Sequence, residues 1–273
     1  FLRLAMLRGR NMYEADRGEG GMCVVDTDHE TAAALLSGLD GVVVANDNAP
    51  DQIVISGGAG PLEEAAERFR AAGHTVQRLP VGGAFHSPLM ERASRTLAGA
   101  LGDLPVGTAR YPVHANRDGC PIDPAAGPMA DRIAAHLLEP VAFREMVSRM
   151  RAAGAELFVD VGPGQQMAGL LRRNLPPECP VIAIDGTALS TVLNGVGALW
   201  LAGVPLTLAR LFDGRRITPL DLDALAARPF EPTATTFYID GFKAMPARQI
   251  PALLPQRNLL TEEEVEDMAR HRP

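Results

Sequence analysis

GGMCVVDTDHETAAALLSGLDGVVVANDNAPDQIVISGGAGPLEEAAERFRAAGHTVQRLPVG, residues 20–82, alternates between the two-residue period of a strand and the 3.6-residue period of a helix. GMCVVDT is a short β-branched apolar run. Asp28 then stands as an N-cap before HETAAALLSGL, a helix that closes on Gly41. VVVAN predicts a strand, DNAPD a turn, and QIVISG a second strand. PLEEAAERFRAAG follows with Pro61 at a helix start, acids in the first turn and Gly73 at the end, and TVQRLPV completes the set. The order β-α-β-β-α-β is the split βαβ, or ferredoxin-like, arrangement.

Beyond this unit the rhythm changes to helix and strand in turn. SPLMERASRTLAGAL predicts a helix, YPVHAN a strand closed by the turn NRDG, and ADRIAAHLL and VAFREMVSRMRAAGA two more helices. ELFVDVG reads as a buried strand running into Pro163-Gly164 and the helix QQMAGLLRRNL. PVIAID is a further strand and TALSTVLNGVGALWLAG a helix with Trp200 on its apolar, core-facing side. Strands alternating with helices imply parallel pairing in an α/β body. The opening FLRLAMLRGRNM reads as the end of an amphipathic helix. From about Val204 the chain is Pro-rich and irregular, a tail strapped over a domain, and TEEEVEDMARHRP ends it with a capping-box pattern from Thr261 to Glu264 and a frayed helix.

Composition narrows the function classes. The 273 residues are 47% hydrophobic and 22% charged, as expected of a chain that buries a sizeable core. A net charge of −7 argues against a non-specific nucleic-acid or anionic-membrane binder, which needs a basic face. Cys23, Cys120 and Cys179 are odd in number and far apart, which argues against a disulfide framework or a metal site and suits a reducing, cytoplasmic setting. No apolar run is long enough for a membrane helix, and the charged opening is not a signal peptide.

Three local clusters can carry chemistry. In Gly82-Gly83-Ala84-Phe85-His86-Ser87-Pro88 a strand ends and a histidine sits just before a helix, where active-site residues of α/β proteins gather. An imidazole there suits general-base work, although a loop histidine with a local capping role fits the same pattern. Arg8-Gly9-Arg10 offers guanidinium groups for a carboxylate, or simply a solvated basic turn. Val161-Gly162-Pro163-Gly164 is a strand-to-helix turn without a nucleotide-binding pattern. His29, His74 and His271 read as solvated, His114 as core or edge, and no metal ligands stand at usable spacing.

In order and spacing, RLAMLRGRNM, GGMCVV, ANDNAPDQIVISG, LPVGGAFHSPLM, YPVHANRDG, HLLEPVAF and FVDVGPGQQMAGLLRRNL resemble the acyltransferase domains of polyketide and polyunsaturated-fatty-acid synthases and the malonyl-CoA:acyl-carrier-protein transacylases. The likeness covers about residues 1–176; weaker ones link Thr187–Leu211 to the helix after such domains and FYIDGFKAMPAR to a strap-like linker. It implies an α/β-hydrolase-like large subdomain with an inserted ferredoxin-like subdomain. It also implies transfer of malonyl from malonyl-CoA, through a serine acyl-enzyme, to the phosphopantetheine thiol of an acyl carrier protein, with no cofactor held by the domain itself. On this resemblance His86 is the base and Arg8 binds the malonyl carboxylate. A backbone carbonyl near His136 orients the base, and Asn48 lies near the site unless it merely satisfies its own turn. Phe85, just before the histidine, goes with malonyl because its ring leaves little room for a methyl on the acyl α-carbon. Gly83 departs from the histidine found there in many malonyl-selective modules and tilts the reading toward iterative or fatty-acid-like synthases.

The largest departure is the nucleophile. The family's G-H-S-x-G elbow lies upstream of the arginine, and no G-x-S-x-G occurs here; Ser56 (VISGG) and Ser87 (FHSPL) lack the pattern. The expectation is therefore a large subdomain incomplete at its N-terminus, with sheet edges uncovered. Residues 1–19 would be the end of a large-subdomain helix, 20–82 the ferredoxin-like subdomain, 83–203 the remainder of the large subdomain, and 204–273 a linker or tail. A companion N-terminal portion, the carrier protein and adjacent synthase domains such as a ketosynthase are the expected partners. The non-enzyme alternative is a serine-less scaffold that binds carrier protein or neighbouring domains.

Overall fold

A computed structural model of the chain describes residues 2–15, 20–102, 107, 109–123, 127–216, 221, 223–224, 237–240 and 243–246. Compact units span Phe1–Leu206 and Thr207–Pro273. In the first, helix α1 (Leu2–Ala15) precedes β1 (Gly20–Val25), α2 (His29–Leu36), β2 (Val42–Ala49), β3 (Gln52–Gly58), α3 (Ala59–Ala71) and β4 (Val76–Arg78). The four strands form one antiparallel sheet in the order β2-β3-β1-β4, so β3 separates the two strands joined through α2. This is the ferredoxin-like arrangement.

Asp28 caps α2 as its side chain predicts, accepting from the Thr31 N–H at 2.9 Å and the Thr31 hydroxyl at 2.8 Å. The helix stops at Leu36, well before Gly41, because Ser37 and the left-handed Gly38 turn the chain early. The other helix starts at Ala59, so Pro61 lies inside its first turn. The stretch read as a turn, DNA, continues β2 to Ala49 through two register shifts against β3.

The sheet is apolar on both faces for different reasons. Cys23, Val25, Ile53 and Ile55 point to α2 and α3 and pack on Ala32, Leu62, Ala65 and Phe69. Met22, Ala45 and Val54 face the other way and pack on Leu79, Val81 and Phe85. Gly57 is required by a close approach: a Cβ there would overlap the Gly41 carbonyl oxygen and stand 2.8 Å from Val42 Cα, both fixed backbone. Gly57→Ala should lower stability by about 2 kcal/mol, or roughly 4–8 °C in thermal unfolding followed by circular dichroism. Gly60→Ala, with open space around it, is the control and should not lower it.

The rest of the unit is helical and parallel. A short 3-10 turn (Pro88–Met90) leads into α4 (Glu91–Leu101), followed by α5 (Met129–Ala135), α6 (Phe143–Ala152), β5 (Phe158–Asp160), α7 (Gln166–Asn174), β6 (Val181–Ala183) and α8 (Leu189–Leu201). β5 and β6 pair in parallel. α1, α4 and α5 share a core of Met90, Ala93, Leu97, Leu101, Ala134 and Leu137, and α6, α7 and β5 another around Phe143, Val147, Phe158 and Leu171.

Two expectations change here. YPVHAN is not a regular strand: His114 makes only an isolated bridge to Pro121, across the turn at residues 116–119. Among the described residues no further strand lies beside it, and a lone strand cannot satisfy its backbone. Trp200 is not core but 61% exposed, because α8 buries Gly195 and Leu199 and the next residue is turned about 100° away. In the second unit, the segment read as irregular forms an antiparallel hairpin, β7 (Phe237–Asp240) with β8 (Lys243–Pro246). The terminal helix from Thr261, and His271, lie outside the described residues.

Candidate active site

His86 follows the end of the ferredoxin-like unit and is the only non-glycine among the described residues with a left-handed backbone, φ +58°. Such conformations cost about 1–3 kcal/mol and persist where the surroundings over-determine them. Here the His86 N–H donates to the Leu137 carbonyl at 3.0 Å. Next to it, the buried Ser87 hydroxyl donates to the Ala84 carbonyl at 2.6 Å and accepts from the Leu89 N–H at 3.3 Å, capping the 3-10 turn. Ser87 is thus committed to local structure, and Ser56 is fully buried inside β3.

The half-buried imidazole donates from Nδ1–H to the Glu139 carbonyl at 2.9 Å. A carbonyl only accepts, so this bond places the proton on Nδ1 and leaves the Nε2 lone pair free. Burial is the largest influence on the ring and pushes its pKa down; the Glu139 carbonyl opposes this, and the Arg8 cation pushes down further. A ring with these neighbours is neutral at pH 7 and able to accept a proton.

The expected orienting group needs correction. The acceptor within hydrogen-bond geometry is the Glu139 carbonyl, three residues beyond His136, whose own carbonyl has a lesser influence. His136 follows the end of α5 and lines a separate cleft with Arg117, Cys120 and Arg132. The chain turns between α5 and Pro140, and it is the end of that turn that meets the ring. A backbone carbonyl leaves no residue-type signature, so the Glu139 position could be approached from sequence only through the neighbouring Pro-Val.

Phe85, His86 and Asn48 line one open cavity of about 750 Å³ between the sheet and α6–α7. Its walls carry the amides of Asn46, Gln52, Asn116 and Gln166, none of which the sequence singled out. Asn48 lies on β2 rather than in a turn; its carbonyl accepts from Asn174 Nδ2 at 2.7 Å. Phe85 packs against both the α1/α4/α5 core and the cavity-facing side of the sheet. Arg8, half-buried on α1, does not line this cavity, but its charge acts on both His86 and His136, and its Nε is buried with no acceptor among the described residues. The Arg8 guanidinium, its Nε without an acceptor among the described residues and its charge felt at His86, is the candidate group for an anion.

The turn after β5 is also held. Asp160 is buried and accepts from the Ala168 N–H at 2.8 Å, and Asp185 accepts from the Gly164 and Thr187 N–H groups, which hold its carboxyl below the usual range. These carboxylates are structural. Among the described residues no group of three or more His, Cys, Asp or Glu could hold a metal ion, and no helix is long and apolar enough to cross a membrane.

Residues 2–189 match the family model described as the acyl transferase domain. The chain is 35% identical over 200 residues to a malonyl CoA-acyl carrier protein transacylase of Salmonella typhimurium, covering 71% of this chain and 64% of the relative. It is 31% identical over 215 residues to the phenolphthiocerol synthesis polyketide synthase Pks15/1 of Mycobacterium bovis, covering 77% of this chain and 10% of that one. The crystal structure of the acyltransferase domain of an iterative polyketide synthase in enediyne biosynthesis superposes with a TM-score of 0.69 at 33% identity, over 78% of this chain and 56% of that one. The chain thus spans less than two thirds of the length of each.

Proposed function

Because this chain belongs to the acyl transferase domain family, we propose that it forms the base-and-clamp part of a domain that moves malonyl from malonyl-CoA to the phosphopantetheine thiol of an acyl carrier protein. The observation that carries the reading is His86 at the cavity wall, its Nδ1–H held by the Glu139 carbonyl and its Nε2 lone pair free, with the Arg8 charge acting on the ring. Residues 1–19 and 83–203 belong to the large subdomain in this reading, 20–82 to the inserted one, and 204–273 to a linker.

The reaction needs a hydroxyl. With no G-x-S-x-G in these 273 residues and Ser56 and Ser87 buried, it comes from a segment outside them. Apolar side chains left exposed on α1 (Leu2, Met6) and on and beside β5 (Val159, Val161) are surface that such a segment would cover. His86 Nε2 takes the serine proton as the oxygen attacks the thioester carbonyl, and the proton then leaves with the coenzyme A thiol. The carrier thiol reverses the sequence: it gives its proton to His86 as its sulfur attacks the ester, and the proton returns to the serine oxygen. Arg8 grips the carboxylate throughout. No resident cofactor enters these steps. The free cysteines accord with a reducing cytoplasm, and a neighbouring ketosynthase with the synthase relatives.

The test joins this chain to its G-H-S-x-G segment, hereafter the complete domain, and follows malonyl on to a phosphopantetheinylated carrier by intact mass. One malonyl per carrier is the expected result. A folded complete domain that takes no malonyl from malonyl-CoA would instead favour a scaffold that only binds carrier protein.

Phe85 sets selectivity in this account, since its ring borders both the cavity and His86. Phe85→Ser should raise the methylmalonyl-to-malonyl ratio of kcat/KM by about 10–100-fold, the worth of one accommodated methyl. An unchanged ratio in competition assays would remove Phe85 from specificity.

A further inference from the structure

β2 is an edge strand of the small sheet, and its open side is covered by residues of the large body. The Val141 N–H donates to the Ala45 carbonyl at 2.8 Å, and the Asp47 N–H donates to the Val141 carbonyl at 2.9 Å, forming a parallel bridge centred on Asn46. At the start of α6, Arg144 grips Asp47 with both arms of its guanidinium, Nε at 3.1 Å and Nη2 at 2.9 Å. Asp47 is only 17% exposed, and the His29 ring, read from sequence as solvated, stands 3.9 Å from it. Two residues before Val141, across the stiff Pro140, is Glu139, whose carbonyl accepts the hydrogen bond from His86 Nδ1–H. Its side chain is held from outside by Arg117 at 3.0 Å.

We propose that the Asp47–Arg144 pair is a positioning device for the His86 ring: together with the Val141 bonds it pins residues 139–144 to β2, so that the small subdomain fixes the carbonyl that selects the tautomer of the base. The consequence for catalysis rests on the reading of His86 as base; the geometry does not. Nε2 can accept a proton only while Nδ1 carries one, so a carbonyl that drifts lets the proton settle on Nε2 and silences the ring. Isolated exposed ion pairs contribute little to stability. This pair acts instead through what it orients, and its bidentate fork suits that use.

The experiment labels the histidines of this chain with 15N and reads the His86 tautomer by long-range 1H–15N correlation at a pH where the ring is neutral. The charged or titratable groups around it, Arg8 on α1 and His136 after α5, are left intact. Wild-type protein should show mainly Nδ1–H. Asp47→Asn and Arg144→Ala, with wild-type amide dispersion proving the fold, should shift the ratio toward Nε2–H by roughly five-fold, the equilibrium worth of one hydrogen bond. The exchanged pair Asp47→Arg with Arg144→Asp should restore it. Asp51→Asn removes a second inter-subdomain ion pair, to Arg173, which has no short path to Glu139, and should leave the tautomer as it is. If Arg144→Ala does not fold, the nearly isosteric Asp47→Asn carries the test. A wild-type tautomer in folded Asp47→Asn overturns the proposal, as does an equal shift in Asp51→Asn. In the complete domain the same variants should lower kcat with little change in KM. If the tautomer moves and transfer does not slow, the positioning stands and His86 is not the base.

Discussion

Arg8→Ala in the complete domain should lower kcat/KM for malonyl-CoA about a hundred-fold or more, while acetyl-CoA keeps its low rate within about three-fold. The magnitude follows from removing one partner of a desolvated charge pair, about 2–5 kcal/mol. Arg8 lies half-buried on α1 with its Nε unsatisfied, and in the proposed reading the malonyl carboxylate is the partner of its guanidinium. An acetyl group has nothing to offer that guanidinium and loses nothing when it goes. Arg8→Lys should recover only part of the rate, since an ammonium keeps the charge and loses the fork. Competition between the two thioesters, read by mass on the carrier, separates these outcomes; equal loss for both would mean that Arg8 holds the fold and not the carboxylate.

The second large effect is at His86. His86→Ala should cost about 10³–10⁴-fold in acyl transfer, at the upper end of general-base contributions, because in the proposed mechanism the same ring serves both half-reactions. The variant should still fold: it keeps the backbone N–H bond to Leu137 and loses only the ring's bond to Glu139, and an alanine at φ +58° costs only about 1–2 kcal/mol. The pH profile carries a second sign. Burial and Arg8 favour the neutral ring in the protein, so the acid limb of kcat/KM should lie below about pH 6.5, the ordinary imidazole value, with activity lost as the ring gains a proton below it. Wild-type acylation in His86→Ala, measured by quench-flow and intact mass, would dismiss it as the base.

What the sequence made legible was what side-chain period and turn chemistry encode. The βαββαβ order from Gly20 to Gly82 and the Asp28 cap appear in the structure because local pattern and tertiary need agree there. The discrepancies have physical causes. β2 runs through a stretch of turn-forming residues because Asp47 and Ala49 pair with Ile53 and Gln52 of β3, while Val141, nearly a hundred residues distant and in no local window, bridges to Asn46. YPVHAN has strand composition but no regular ladder to join. Trp200 follows Leu199 on α8, and a helix period fixes which residues share a face without saying which face is covered.

The site divides in the same way. Phe85, His86 and Asn48 carry recognisable side chains in recognisable order, and one cavity receives all three. The Glu139 carbonyl is invisible in sequence because every residue has a carbonyl, and only the turn after α5 decides which one meets the ring. Asp47 looked like a turn former, and Arg144 like any basic residue on an amphipathic helix. Their pairing exists only because β2 and α6 lie side by side.

The claim on which the account turns is that Arg8 and His86 address one ligand, and a titration with malonate reads it directly. Burial is the main cause of the lowered imidazole pKa and the Arg8 cation adds to it, so an anion that neutralises Arg8 should let the His86 midpoint rise. In 15N-histidine-labelled protein, saturating malonate should move the His86 midpoint upward, Arg8→Ala should move it upward without malonate, and malonate should then add nothing. A His86 midpoint indifferent both to malonate and to the loss of Arg8 would contradict the shared site.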